Sequence, residues 1–147
     1  MSKLSEQAVE IFFEGFNCAQ AVLGSFSERY GMKKEDAYRI ATGFGGGIRC
    51  GEVCGAVAGA VLVIGLKYGN DTQEEGNTKS LCYQKTVEFN NLFRERKGSI
   101  VCRELLHCNI AVPEEYKAAT EAGLFKTVCP EMIKEAVEIL EELGYGD

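Results

Sequence analysis

The residues of this chain with the most evident chemistry are its seven cysteines, four of which the sequence places at the starts of different helices. They are Cys18, Cys54, Cys102 and Cys129. A helix start presents free N–H groups and the positive end of the helix dipole, so it favours an anion such as a thiolate. Four such positions, far apart along the chain, predict sulfurs that ionise, either as metal ligands or as redox thiols.

Cys54 is the strongest of these candidates because it follows a glycine-rich loop and is itself followed by Gly55. The loop glycines are Gly45, Gly46 and Gly47. Their N–H groups can approach an anion or an inorganic sulfide closely, and the helix start is expected to lower the pKa of Cys54. The alternative is that Cys54 is a small apolar residue in a tight helix contact. Cys50, four residues earlier, is either its redox partner or a bystander.

Three further residues have weaker claims to a functional role. Cys108 is a further candidate metal ligand; it follows Cys102 by six residues and can approach it only if the chain turns near His107. His107 is the only histidine, so a Cys₂His₂ zinc site is excluded, and a surface position near a helix end is its simplest interpretation. Cys82 lies between core positions of a long helix, which favours a structural role.

Helical periodicity extends through almost the whole sequence, and no segment shows sustained alternation of period two. We therefore predict an all-α fold, a compact bundle of about five longer and two or three short helices around a buried Gly/Ala-rich helix. The prediction assigns residues 1–147 to a single helical cysteine-rich domain. The Gly/Ala-rich helix begins near Glu52, and its glycines recur every four residues, which allows another backbone to approach closely.

Cap residues and prolines set the expected helix boundaries. Asn17 and Gln20 form a capping box for the helix that contains Cys18. The third helix is expected from about Lys33 to Phe44, with Ala37, Ile40, Ala41 and Phe44 on one face. Further predictions are a long helix from Asp71 or Thr72 to about Lys97, a short one capped by Ser99, one from Pro113 to Gly123, and a last helix with Cys129 at its N-cap and Pro130 first.

Length and charge restrict the classes of function. The 147 residues suit one domain with a sizeable core, and the net charge of −6 argues against nucleic acid as a partner. The longest uncharged apolar run, Val53 to Leu66, has 14 residues, whereas a membrane span needs about 20. The N-terminus lacks a signal-peptide pattern. We expect a cytoplasmic protein with reduced cysteines. The glycine spacing does not match a dinucleotide or P-loop motif, so no nucleotide cofactor is expected.

Several motifs together resemble one known family. They are NCAQAVL from Asn17, GFGGG, CGAVAG from Cys54 to Gly59, GSIVCRELL and VCPEMIKEAVEIL. Nearly the whole chain resembles a bacterial and archaeal family of redox-active proteins named for its pattern C, GCAxxG, C, C, although this chain reads VCGAVAG at the central motif. The resemblance implies that Cys18, Cys54, Cys102 and Cys129 are the four characteristic cysteines. A similar domain occurs in split-Soret cytochromes, which carry an iron–sulfur centre and haem. This chain has no C-x-x-C-H motif, so covalent haem is not expected.

Three classes of function remain open at this point. In the leading hypothesis, cysteines from several helix starts converge on an iron–sulfur cluster or soft metal, for electron transfer, redox sensing or metal and sulfur handling. In the second, the protein is a thiol–disulfide or thiol-transfer oxidoreductase with Cys54 as nucleophile. In the third it is a non-catalytic interaction module. A redox or transport protein is the expected partner, and the glycine-lined helix suits a homo-oligomer.

Overall fold

Helices account for 76% of the residues that the structure describes, which confirms the predicted all-α fold. A computed structural model describes residues 1–73, 76 and 78–147, and these residues form eight α-helices and no β-strand. The helices are α1 (Lys3–Phe13), α2 (Cys18–Phe26), α3 (Lys34–Ala41), α4 (Gly55–Tyr68), α5 (Thr78–Lys97), α6 (Cys102–Leu106), α7 (Pro113–Glu121) and α8 (Leu124–Glu142). Short 3₁₀ turns occur at Ser27–Tyr30 and Thr42–Phe44, and a π-type turn spans Gly47–Gly51. No helix in the described ranges is long and apolar enough to cross a membrane.

The centre of the fold is the contact between α2 and α4. Every residue of α2 is buried, as its uncharged sequence CAQAVLGSF requires. Gly59 of α4 lies against this helix so closely that an added Cβ would be 2.8 Å from the Ala19 carbonyl oxygen and 3.0 Å from the Val22 Cβ. The predicted close approach at the Gly/Ala-rich helix is therefore confirmed, and its partner is the helix that begins with Cys18.

The remaining long helices cover this central pair. Phe89 and Phe93 of α5 are fully buried, and α1 and α8 close the other sides of the core. The prediction for α3 was wrong in one respect, because Ile40 is 49% exposed. Only Ala37 and Ala41 of this helix are buried. A single turn separates these two alanines, so the buried stripe is narrow and Ile40 lies outside it.

The predicted start of the last helix was also wrong. α8 begins after Gly123, whose φ of 73° is left-handed, so Cys129 and Pro130 lie inside the helix. A proline there removes one backbone donor at a cost of about 3 kcal/mol. Apolar burial in the extra turns offsets this cost, because Leu124, Phe125 and Val128 pack against the cluster around Leu106. Position within α8, rather than a helix start, therefore places the Cys129 thiol.

Two other predicted helix starts shift as well. Val101, not Ser99, is the N-cap of α6, and Ser99 instead accepts a hydrogen bond from the Val101 N–H. The long helix α5 begins at Thr78, later than the predicted Asp71 or Thr72, which lie in irregular backbone. Residues 74, 75 and 77, within the predicted helix, are outside the described part of the chain.

Candidate four-cysteine site

A short antiparallel bridge brings two of the cysteine segments together. Val53 pairs with Val101, although the two are far apart in sequence. The Cys54 N–H donates to the Ile100 carbonyl at 2.7 Å, and the Cys102 N–H donates to the Glu52 carbonyl at 2.6 Å. Each cysteine directly follows a bridged valine, so the same pairing fixes the start of α4 beside the start of α6.

Close helix packing adds Cys18 to this pair. Its helix begins with the predicted capping box, in which Asn17 and Gln20 bond each other's backbone N–H groups. Gly55, the first residue of α4, lies against this helix start, because a Cβ added to it would be 3.2 Å from the Cys18 Cβ. Any larger residue at Gly55 would therefore push Cys54 away from Cys18.

The four thiols line one small cavity. Its volume is about 20 Å³, and its lining residues are Cys18, Cys54, Cys102, Leu105, Leu106, Val128, Cys129 and Met132. Such a space holds roughly one water-sized group. Four carbon-rich side chains form the rest of the wall, so the thiols are the chemically reactive groups that face it. Cys18, Cys54 and Cys102 are buried, whereas Cys129 is half-buried and is the most accessible of the four.

Cys18 and Cys129 interact so that the pKa of one thiol is raised and the pKa of the other is lowered. The Cys18 S–H donates to the Cys129 sulfur, and this bond lowers the pKa of Cys129 despite its partial burial. The same bond, together with burial and repulsion from the ionised forms of the three neighbouring cysteines, raises the pKa of Cys18 well above its ordinary value. When one proton leaves this pair, the negative charge therefore resides on Cys129.

Burial is the dominant effect at the other two thiols, Cys54 and Cys102, and it raises the pKa of both. It raises the pKa of Cys54 to about 11, although the N–H groups of Ala56 and Val57 act to lower it. The prediction that the helix start would lower the pKa of Cys54 was therefore wrong, because desolvation outweighs the N–H groups. Burial likewise raises the pKa of Cys102 to about 12, and nearby Arg49 only partly offsets that shift.

The remaining cysteines and His107 lie outside this cavity. Cys50 is exposed, and its thiol donates to the Gly47 carbonyl at 3.2 Å. His107 is exposed with a left-handed φ of 58°, and the chain turns there as predicted. The turn packs half-buried Cys108 against the cluster of Cys102 and Leu106. Cys82 of α5 is half-buried against the main core, as its predicted structural role requires.

The glycine loop allows other segments of the chain to pack closely against its backbone. Gly45 lies against the Asn17 side chain, and a Cβ on Gly47 would be 2.4 Å from the Glu52 nitrogen. Gly46, the third loop glycine, lies beside the Arg49 guanidinium. Arg49 is a residue that the sequence analysis missed. Its only signal in the sequence was its place two residues after the last loop glycine, Gly47.

Arg49 lines a second, larger pocket that shares thiols with the small cavity. This pocket has a volume of about 180 Å³. Its lining residues are Phe12, Phe16, Asn17, Cys18, Gly46, Arg49, Cys102, Leu106, Ile110, Tyr116, Phe125 and Cys129. Three of the four clustered cysteines thus border both spaces, and the larger pocket gives a small molecule a route to Cys129.

The four thiols are the ligand type that iron–sulfur clusters, zinc and Cu(I) accept. Their present arrangement differs from a finished metal site, since the described residues contain no group of three or more His, Cys, Asp or Glu positioned to hold a metal ion. The small cavity would also have to widen for a cluster. The four residues are therefore of the right type for a soft metal. Their spacing in this structure, however, is that of free thiols and not that of metal ligands.

Comparison with known proteins gives one match. The model of the family described as "Putative redox-active protein (C_GCAxxG_C_C)" matches residues 16–143. This chain belongs to that family. The matched range includes all seven cysteines, and with them every residue of the four-cysteine cavity. No curated protein and no solved structure matches the chain.

Proposed function

We propose that the four-cysteine cavity is a redox centre in which Cys18 and Cys129 interconvert between a dithiol and a disulfide. The observation that carries the proposal is that both thiols line one cavity of about 20 Å³, which places the two sulfur atoms near each other, and each thiol shifts the pKa of the other. The lowered pKa of Cys129 and its greater accessibility support a role as the attacking thiolate. Cys129 therefore takes the role that the sequence suggested for Cys54.

The reaction follows ordinary thiol–disulfide exchange. The Cys129 thiolate attacks one sulfur of a substrate disulfide, forming a mixed disulfide and releasing the first substrate thiolate. Cys18 then loses its proton and attacks the Cys129 sulfur, which releases the second substrate thiolate. The substrate gains two electrons and, on protonation, two protons, while the protein gains a Cys18–Cys129 disulfide. A reducing partner protein returns the pair to the dithiol, as expected for a cytoplasmic protein.

A metal centre is the second candidate, and the convergence of four thiols from four separate segments favours it. A dithiol needs only two cysteines, whereas Cys₄ is a common ligand set for iron–sulfur clusters and structural zinc. Cys18, Cys54, Cys102 and Cys129 would hold the metal. Binding would require the four thiols to be deprotonated, against the burial that raises the pKa of Cys54 and Cys102. An iron–sulfur cluster held there would supply a one-electron couple or a sulfur-handling site, whereas zinc would supply no redox chemistry.

One set of variants separates the two candidates. The protein is purified under argon, its absorption spectrum and its iron and zinc content are measured, and its two-electron midpoint potential is titrated. Serine replaces Cys18, Cys54, Cys102, Cys129 or, as the matched control, Cys82. The dithiol proposal predicts a metal-free protein whose couple is lost in C18S and C129S and retained in C54S, C102S and C82S. Stoichiometric metal that is lost in all four site variants would establish the second candidate instead.

A further inference from the structure

The larger pocket has features that select a substrate for the Cys18–Cys129 pair. Aromatic rings of Phe12, Phe16, Tyr116 and Phe125 contribute to its walls, and Cys129 lies on its border. Its 180 Å³ is smaller than the pockets that take drug-sized ligands. The space therefore admits one ring or a short apolar group and places it directly beside Cys129, the most accessible of the four clustered thiols.

Arg49 is the only charged residue that lines this pocket. It is exposed, and among the described residues it forms no ion pair, although the chain as a whole is acidic, with a net charge of −6. Its φ of 57° and that of Ile48, 58°, are left-handed, which is unfavourable for both side chains. Backbone strain of this kind persists only where the surrounding structure fixes it, and it concentrates at functional sites.

We propose that this pocket binds a small disulfide with an aromatic or apolar body and one carboxylate-like anionic group, which the Arg49 guanidinium recognises. The inference rests on the proposed function, since the bound sulfur is the one that Cys129 attacks. The guanidinium matches a carboxylate with two parallel hydrogen bonds, and the aromatic walls match the body. The Cys129 sulfur forms a mixed disulfide with one half of the substrate, and the other half leaves as a thiol. Cys18 then attacks the Cys129 sulfur and releases the second half as a thiol.

Two aromatic disulfide probes test the anion requirement. 5,5′-Dithiobis(2-nitrobenzoate) carries a carboxylate on each ring, whereas 4,4′-dithiodipyridine is uncharged at pH 7. Arg49→Met should slow oxidation of the Cys18–Cys129 pair by the charged probe about 10- to 100-fold, the range for loss of a charge-assisted hydrogen bond. The rate with the uncharged probe should change less than about twofold, because that probe has no anionic group for Arg49 to bind.

Controls keep the outcomes distinct. Arg94→Met makes the same charge change on the exposed face of α5 and should leave both rates unaltered. Arg49→Lys should retain part of the preference for the charged probe. Equal slowing of both probes by Arg49→Met would overturn the proposal, because Arg49 would then act on the thiols or the fold. An unchanged rate with the charged probe would overturn it as well.

A sulfur-free ligand separates failure of the pocket from failure of the redox pair. Benzoate carries the ring and the carboxylate but cannot exchange disulfides. In a two-dimensional NMR titration, benzoate should shift the resonances of residues around Arg49 and Phe16 in the wild type and not in Arg49→Met. Shifts by benzoate without oxidation by either probe would leave the pocket supported and overturn the dithiol. Oxidation without any benzoate shift would overturn the pocket.

Discussion

Replacing Gly59 by alanine tests the helix contact that positions the cysteines. The new Cβ would lie 2.8 Å from the Ala19 carbonyl oxygen and 3.1 Å from the Ala19 Cα, and backbone atoms cannot rotate away. Forced overpacking of this kind costs up to about 3 kcal/mol. Alanine returns about 1 kcal/mol of helix propensity relative to glycine. The net expectation is a loss of about 2 kcal/mol in the free energy of unfolding.

Gly65→Ala in the same helix is the matched control. Nothing lies within 4 Å of a Cβ added there, so only the propensity gain of about 1 kcal/mol remains. At about 3 °C per kcal/mol for a chain of this size, Gly59→Ala should lower Tm by about 6 °C and Gly65→Ala should raise it by about 3 °C. Thermal melts and urea titrations measure both. Equal stability of the two variants would refute the packing argument, and so would a stabilised Gly59→Ala.

Three further predictions concern the thiols. Limited alkylation of the reduced protein, read by mass spectrometry, should label Cys50 first, then Cys82, then Cys54, following their exposure; early labelling of Cys54 would contradict its burial. The pKa of Cys54 is raised from 9.0 to about 11, so its contribution to the free energy of unfolding is fully present below pH 9. That contribution, about 3 kcal/mol, is lost as the pH rises to about 11. Urea midpoints should therefore decline less steeply over that range in Cys54→Ala, and parallel curves would disprove the effect. Cys18→Ala should slow alkylation of Cys129 at pH 7 about tenfold, since the donated hydrogen bond is lost; an unchanged rate would show that the bond does not set the acidity.

Local signals in the sequence were sufficient to predict most of the fold. Asn17 and Gln20 predicted the start of α2, and the glycines of α4 predicted its close contact, because caps and Cβ-free faces act over a few residues. Pro130 led to a wrong boundary for α8, which begins at Leu124. The first turns of this helix are stabilised by packing against α6, which is distant in sequence. A cap motif cannot report burial supplied by another segment.

The sequence was sufficient to predict which four cysteines lie together, but not which of them is acidic. Helix starts and the family resemblance singled out the four cysteines, and the structure places them around one cavity. The acidity of each thiol depends on burial and on the neighbouring sulfur, which only the packed helices determine. For that reason Cys129, rather than Cys54, has the lowered pKa. Arg49 was missed because its position follows from left-handed backbone that non-glycine residues rarely adopt.

The first disulfide that forms on oxidation shows whether Cys18 and Cys129 are the redox pair. Reduced, metal-free protein is exposed to one equivalent of a two-electron oxidant, remaining thiols are alkylated, and peptides are identified by mass spectrometry without reduction. We expect one dominant bond between Cys18 and Cys129, with Cys54 and Cys102 recovered as alkylated thiols. A dominant bond that omits Cys129, such as Cys50 with Cys54, would contradict the account, and so would a protein that resists oxidation while its thiols remain reduced.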